Sequence, residues 1–208
     1  MPKQRKSAKS AYHHGSLRQA LVSEAVALIR EAGEDALSMR ALATRVDVSR
    51  TAAYHHFKGK EDLLCAIAEE GFERILAESR TAELESQAEV GEQQIKQLIS
   101  NYLNFAVENA EYYNLMFGSR LWKSSVVTDQ LTAKAHEFFR FHVSVLRERQ
   151  IKGQICQSID IVRHSQVTMS TLHGMSRLLI DGIYVDKATI ASIGEAAARM
   201  FWRELQGE

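Results

Sequence analysis

Proline is almost absent from this 208-residue chain, because the only one is Pro2. Proline cannot continue a helix or donate to a strand ladder, and turn-rich sheet proteins commonly use it between strands. No proline interrupts the helical patterns that follow residue 2. The sequence therefore favours an all-α fold.

Long apolar runs are also missing, since the longest spans only residues 63–68. A membrane-spanning helix needs roughly 20 apolar residues, and a secretory signal needs an apolar segment behind its basic start. The N-terminus here is basic with no such segment. We expect no membrane span and no secretory signal, and we take the cytoplasm as the expected compartment.

Cysteine is scarce, and the two that occur, Cys65 and Cys156, share no metal or redox spacing. Both lie in apolar helical patterns, where a free thiol behaves as a small hydrophobic group. This usage fits a protein without structural disulfides.

The histidine pairs His13-His14 and His55-His56 raise the question of a metal site. Adjacent residues do not share a helix face, and no Cys, Asp or Glu stands at a ligand spacing beside either pair. We therefore predict no metal and no cofactor. A helical enzyme is the alternative from another class, but the sequence holds neither an EXXH motif nor a nucleophile with its base. The sequence indicates a protein that is not an enzyme.

The net charge of zero hides a strong asymmetry. Residues 1–60 carry 11 Lys and Arg against 5 Asp and Glu, and residues 61–208 carry 15 against 21. A localised basic surface suits a polyanion, because neutralising phosphates releases condensed counterions. The alternative is an ordinary solvated face, and charge alone does not decide between them.

Apolar periodicity predicts about nine helices, all of them after an N-terminal tail. Residues 1–15 form a basic tail, expected to be disordered. Ser16 and Gln19 match a capping box, and helices are predicted over about 16–32, 38–47, 50–56 and 61–80. A polar stretch at 81–91 is a plausible connection, and helices resume over about 95–106, 112–117, 131–152, 159–181 and 187–206. We divide the chain into the tail, a first domain at 16–62 and a second domain at 63–208.

The second and third helices are short and separated by a tight turn, with Ser38 and Ser49 as their expected N-caps. A helix precedes them, and the unit is positively charged. Two short helices in this arrangement allow the second to enter the major groove of DNA. The segment 38–57 is therefore predicted to be a helix-turn-helix.

The sequence of residues 38–64, SMRALATRVDVSRTAAYHHFKGKEDLL, resembles the N-terminal signature of tetracycline-repressor-like (TetR family) regulators. The resemblance covers residues 16–64 in detail. It implies an N-terminal three-helix helix-turn-helix unit as the DNA-binding domain, residues 16–62. A C-terminal helical bundle, residues 63–208, is then the expected ligand-binding and dimerisation domain. The resemblance also implies binding to a double-stranded DNA operator.

Carried over residue by residue, the resemblance implies two roles at the DNA. The candidates for reading base edges are Arg40, Arg50 and Thr51. The candidates for holding phosphates are Ser49, Tyr54 and Lys60. Arginine can read guanine with its fork, and threonine can contact a thymine methyl. The alternative is that the charges are ordinary solvated residues and that the Tyr54 ring packs on the bundle.

Two positions depart from the family pattern. Asp47 stands where the turn usually has glycine, and aspartate tolerates a positive φ better than most residues. His55 is either a contact to base or phosphate or a neutral surface histidine. The basic tail either enters the minor groove or raises the local concentration of positive charge.

In the C-terminal half, EYYNLMFG at 111–118 and LHGM at 172–175 resemble a subclass marked by a tryptophan and a His-Gly pair. Met169 occupies the expected tryptophan position. Apolar residues with one polar group suit a small-molecule effector site of unknown ligand. The predicted lining is Phe105, Met116, Phe117, Trp122, Met169, Leu172 and His173. The alternative is that these residues are plain bundle core.

The last two helices offer more apolar surface than one domain needs. The predicted faces are Val162, Val167, Leu178 and Leu179, then Ile190, Ile193, Ala197, Met200 and Phe201. We predict a four-helix interface that forms a twofold homodimer. Two recognition helices roughly 34 Å apart would then meet a near-palindromic operator. The family default is a repressor released by its ligand through movement of residues 128–150 and of the fourth helix, with an activator as the alternative.

Overall fold

The computed structural model describes residues 14–85, 91–184 and 187–208. Every regular element within these ranges is helical, which confirms the all-α prediction. A single 3₁₀ turn, Glu34–Ala36, follows the first helix. The helices are α1 His14–Ala32, α2 Met39–Arg45, α3 Arg50–His56, α4 Lys60–Glu85, α5 Glu92–Glu108, α6 Ala110–Phe117, α7 Ser119–Trp122, α8 Asp129–Ile151, α9 Ile161–Ile180 and α10 Lys187–Gln206.

The chain divides into two compact units, with the boundary after Leu64. In the first unit, α1 packs on α2 and α3. Its core consists of side chains that are at most 2% exposed. They include Leu21, Val22, Ala25, Leu42, Ala43, Ala53 and Phe57. The apolar spacing of these residues places one stripe of each short helix against α1.

A branched ion pair also joins α2 to α1. The Arg45 guanidinium donates to Glu24 at 3.1 Å and to both carboxylate oxygens of Glu31, the shorter bond being 2.7 Å. The Arg45 hydrogen bonds lower the pKa of the Glu31 carboxyl, and Glu31 and Glu24 together raise the pKa of Arg45. The arginine at the end of α2 is therefore engaged within the unit.

In the second unit, α9 and α10 both pack on α5, and α9 also packs on α8. Among the described residues of this unit, seven large aromatic side chains are buried. They are Phe72, Tyr102, Phe105, Tyr112, Tyr113, Phe138 and Phe201. Gly71 on α4 lies so close to α6 that an added Cβ would be 2.6 Å from the Met116 Sδ and 3.2 Å from the Tyr112 Cβ. A glycine is needed there because the helices approach so closely.

Three sequence-based expectations were wrong in detail. α1 begins at His14, so Ser16 lies inside the helix and is not its N-cap. α4 continues to Glu85, so residues 81–85 are helical where a connection was expected. Ala197 and Phe201, assigned to the dimer face, are 3% and 2% exposed in the single chain because α10 packs on α5. The basic tail up to residue 13 lies outside the described residues.

Candidate functional site

The turn between α2 and α3 closes with two backbone hydrogen bonds. The Val48 amide donates to Ala43 at 2.9 Å, and the Asp47 amide donates to Thr44 at 3.3 Å. This pairing is a Schellman motif, which needs a left-handed residue after the helix. Asp47 takes that conformation with φ 54°, and among the described residues no other non-glycine residue has a positive φ. Aspartate thus fills the role that glycine usually has.

Both short helices begin at the predicted caps. The Ser38 hydroxyl accepts from the Ala41 amide at 3.2 Å, and the Ser49 hydroxyl accepts from the Ala52 amide at 3.1 Å. Each bond satisfies one of the amides that a helix start leaves unpaired. The cap of α3 therefore fixes where its exposed face begins.

α3 presents two chemically distinct faces. Ala53 and Phe57 are 0% and 2% exposed, whereas Tyr54 is 53% exposed. The exposed residues of α3 are Arg50, Thr51, Tyr54 and His55, and they fall within an arc of about 140° on the helix surface. The predicted contacts Arg40 on α2 and Ser49 before α3 are exposed as well. Six of the seven predicted DNA contacts are thus accessible to a partner.

Lys60, the seventh predicted contact, is half-buried. Its ammonium donates to the backbone carbonyl of Glu34 at 2.6 Å, which ties the first turn of α4 to the 3₁₀ turn after α1. An ammonium has three donors, so two N–H groups remain beyond this bond. No local sequence pattern indicates this bond, because the acceptor is a backbone atom 26 residues away.

The exposed surface of α2 and α3 is positive. Residues 38–60 hold five Lys and Arg against one acid, Asp47. Glu24 and Glu31 engage Arg45, and Lys60 binds a carbonyl. Arg40, Arg50 and Lys58 remain as exposed cations on the described surface of this segment. Such a surface fits the negative charge of a phosphate backbone.

The second unit contains two adjacent cavities. The first, of about 120 Å³, lies among α4, α5, α8, α9 and α10, and mainly apolar side chains such as Leu98, Tyr102 and Phe141 line it. The second, of about 200 Å³, is enclosed by aromatic and methionine side chains. Phe139 and Met169 line both cavities. These two side chains therefore form a shared wall.

Five of the seven predicted effector residues line these cavities. Met116, Phe117, Trp122 and Met169 line the second cavity, and Met169 and Leu172 line the first. Phe105 is 2% exposed and lines neither cavity. Its burial in α5 matches the alternative interpretation as core.

His173 also lines neither cavity, and it ends a short polar chain beside them. The Tyr102 hydroxyl lies 3.0 Å from the Tyr113 hydroxyl, which lies 3.0 Å from His173 Nδ1. Burial, aided by the nearby Arg177, lowers the pKa of His173 and favours its neutral form. Tyr102 also lines the first cavity, so this chain of hydrogen-bonding side chains reaches the cavity wall.

Among the described residues that line the first cavity, Arg149 on α8 is the one buried cation, and sequence reasoning missed it. Its side chain is 9% exposed, and its Nη2 donates to both oxygens of Glu83 on α4 at 2.7 and 2.8 Å. The local sequence RERQ contains two arginines and does not indicate which is buried. Only the packing of α8 on its neighbours distinguishes them.

The described parts of the chain contain neither a metal-binding cluster nor a helix suited to a membrane. No cluster of three or more His, Cys, Asp or Glu side chains is arranged to hold a metal ion. No helix in the same ranges combines the length and apolar character that crossing a bilayer requires.

Comparison with known proteins gives a consistent result. Residues 21–67 match the family described as bacterial regulatory proteins, tetR family, and residues 95–203 match the tetracyclin repressor-like C-terminal domain. No curated protein matches the chain.

Solved structures extend the comparison over the whole chain. A protein of unknown function from Rhodococcus sp. RHA1 is 32% identical with a TM-score of 0.82, and the match covers 95% of this chain and all of that one. The fatty acid degradation regulator FadR from Bacillus halodurans is 16% identical with a TM-score of 0.70, covering 96% and 97% of the two chains. FadR from Bacillus subtilis, solved in complex with stearoyl-CoA, is 16% identical with a TM-score of 0.68, covering 88% and 97%.

Proposed function

Because the chain belongs to the tetR family of bacterial regulatory proteins, we propose that it is a ligand-responsive transcriptional repressor. In this proposal a homodimer binds a near-palindromic operator, and a small molecule releases it. The observation that carries the proposal is the two-faced α3, whose exposed side holds Arg50, Thr51, Tyr54 and His55 over a buried Ala53. An activator of the same fold is the second candidate.

The proposed DNA contacts divide by chemistry. Arg50 and Thr51 occupy the first turn of α3, where a recognition helix meets base edges, and Arg40 supplies a third candidate from α2. Ser49, Tyr54 and Lys60 offer donors for phosphates, which fix position more than sequence. His55 shares the exposed face and is included as a contact of either kind.

The operator is found by selecting bound fragments from random DNA and measuring affinity for the selected site. Arg50→Ala is expected to weaken binding ten- to hundredfold and relax discrimination at one or two positions. Tyr54→Ala is expected to weaken binding to selected and unrelated DNA alike. The matched controls are Arg140→Ala and Tyr184→Ala, which change the same residue types at exposed positions in the second unit.

The double variant Arg50→Ala, Tyr54→Ala decides the assignment. If it binds the selected site as the unaltered protein does, α3 is not the recognition helix. A selection that enriches no sequence would contradict the proposal that the protein recognises an operator.

The proposed homodimer uses the outer faces of α9 and α10. Val167 is 56% exposed and Met200 is 51% exposed, so both large apolar side chains are available to a partner surface. A Cβ added to Gly174 on α9 would meet no atom within 4 Å, so this glycine is not required by packing inside the chain. A second copy of the chain that packs on this face would bury Val167 and Met200 and would approach the backbone closely at Gly174.

The proposed release mechanism uses the contacts between α4 and α8. Thr128 donates to Glu69 at 2.6 Å, Lys134 pairs with Glu73 at 3.0 Å and Arg80 pairs with Glu137 at 2.9 Å. A ligand that displaces α8 therefore acts on α4, and α4 begins four residues after α3. By linkage, the ligand must bind better to the form that does not engage DNA.

A further inference from the structure

Most of the surface that lines the first cavity is apolar, and among the described polar residues of the lining only Arg149 is both buried and permanently charged. Arg149 is 8% exposed and lines the cavity beside Leu146 and Val145. Two histidines also lie in the wall. Burial lowers the pKa of His142, which favours its neutral form. The Nδ1 atom of His164 lies 3.0 Å from the Oε2 atom of Glu204. A guanidinium always carries its charge. The cavity therefore has a fixed positive group within an apolar lining.

The hydrogen-bonding capacity of Arg149 is only partly used. A guanidinium has five N–H donors, and Nη2 alone makes hydrogen bonds here, both to Glu83. Nε and Nη1 have no hydrogen-bond partner within the described ranges. Neither atom is among the fully enclosed unpaired polar atoms of the described residues, so a molecule the size of water can reach both. The wall of the cavity thus holds donors that an acceptor in the cavity would satisfy.

We propose that this cavity binds an aliphatic carboxylate, with the carboxylate on the Arg149 guanidinium and the hydrocarbon chain along the apolar wall. This inference rests on the proposed function, because it identifies the chemical class of the effector. The planar fork of arginine matches a carboxylate in a two-point, charge-assisted contact. The carboxylate would share Arg149 with Glu83 or replace it.

The hydrocarbon chain has a defined route. Met169 and Phe139 separate the first cavity from the second, and methionine readily changes its shape. Together the two spaces reach the lower end of the usual range for ligand cavities, roughly 300–1,000 Å³. A chain that displaces Met169 would extend toward Phe117 and Trp122.

The acidic groups of the wall do not favour a cationic ligand. Glu78 is exposed, and Glu83 is already paired and has a side chain that is 31% exposed, against 9% for Arg149. Water can therefore solvate a displaced Glu83 much better than it can solvate Arg149. The group that gains most from a new partner is the buried cation, and its partner is an anion.

The test measures binding by calorimetry to the full chain without DNA, using straight-chain carboxylates of six to twelve carbons and the alcohols of the same lengths. At least one carboxylate is expected to bind more tightly than its alcohol. Arg149→Met is expected to weaken carboxylate binding roughly ten- to hundredfold and leave alcohol binding unchanged. Arg147→Met, an exposed position on the same helix, is the matched control and should bind as the unaltered protein does.

Two further variants keep the test valid if Arg149→Met fails to fold. Glu83→Gln removes the competitor for Arg149 and should bind carboxylates at least as tightly as the unaltered protein. Arg149→Lys keeps the charge without the fork and should bind them with intermediate affinity.

Binding of no carboxylate, equal binding of acid and alcohol, tighter binding of the matching amines, or weaker carboxylate binding by Glu83→Gln would overturn the inference. Operator selection is independent of this result. A protein that binds carboxylates but no operator would refute the proposed function alone, and the reverse would refute only the effector class.

Discussion

At the scale of single residues, the turn at Asp47 combines a conformational cost with an electrostatic one. Its φ of 54° is a conformation that L-residues adopt at a cost, which is smaller for aspartate and asparagine than for most. Its carboxylate also lies in the segment that carries Arg40 and Arg50, where it reduces the positive charge that faces a phosphate backbone. Asp47→Gly removes both the strained φ and the carboxylate, whereas Asp47→Ala removes only the carboxylate, so the difference between the two variants isolates the conformational cost.

Asp47→Gly is expected to raise the free energy of unfolding by about 0.5–1 kcal/mol, since glycine adopts a positive φ freely. Asp47→Ala is the opposite test and should lower it by about 1 kcal/mol. Urea unfolding measures both changes. If Asp47→Ala is as stable as Asp47→Gly, the left-handed conformation at this turn is not a source of strain.

Single residues also show what sequence reasoning could reach. The Ser38 and Ser49 caps were predicted correctly because a cap depends on an amide three residues away. The Lys60 bond to Glu34 and the Arg149 pair with Glu83 were missed because they join residues that only the fold brings together. Local chemistry is visible in a sequence, whereas the partner of a long side chain is not.

At the scale of elements, the start of α8 has two hydrogen bonds through one side chain. The Thr128 hydroxyl accepts from the Leu131 amide at 3.0 Å as the N-cap, and it donates to Glu69 at 2.6 Å. Glu69 is 6% exposed, so the Thr128 hydroxyl supplies a hydrogen bond to a carboxylate that has little access to water. The hydroxyl thus caps α8 and joins it to α4.

Thr128→Val keeps the shape and removes the hydroxyl, and it is expected to lower the free energy of unfolding by about 2 kcal/mol. Thr128→Ser retains both bonds and should cost much less. Thr132→Val is a second control, because its hydroxyl bonds only the Thr128 carbonyl one turn away. Thermal and urea unfolding measure the series, and equal stability of the valine and serine variants at 128 would contradict this account.

The end of α4 shows why element boundaries are harder to predict than elements. Residues 81–85, TAELE, are mostly good helix formers without glycine or proline, and they continue the helix. The prediction ended the helix earlier because it relied on apolar periodicity, and Leu84 is 73% exposed. A surface turn of helix carries no periodic signal.

At the scale of the whole molecule, one apolar stripe on α10 serves two purposes. Ala197 and Phe201 face the interior of the chain, while Met200 is exposed between them. The sequence shows how much apolar surface a helix has, but not how that surface is divided between its own core and a second copy. The proposed dimer face is therefore narrower than the sequence predicted.

Val167→Arg together with Met200→Arg is expected to convert the proposed dimer to a monomer, because burying unpaired arginines at an interface costs several kcal/mol. Light scattering at micromolar concentration measures the mass. Ile151→Arg, at an 80% exposed position on α8, is the control and should leave the mass unchanged. An unaltered protein that is already a monomer, or a double variant that remains a dimer, would remove this face as the interface.

The close approach of α4 to α6 has a consequence for how this protein can evolve. A side chain at position 71 would require Met116, which is fully buried, to shift or to be replaced by a smaller residue. The two positions lie 45 residues apart but should be inherited as a pair. Relatives with alanine or serine at 71 should therefore carry a smaller residue at 116. A lineage that changed position 71 while methionine was still at 116 would have passed through a less stable intermediate.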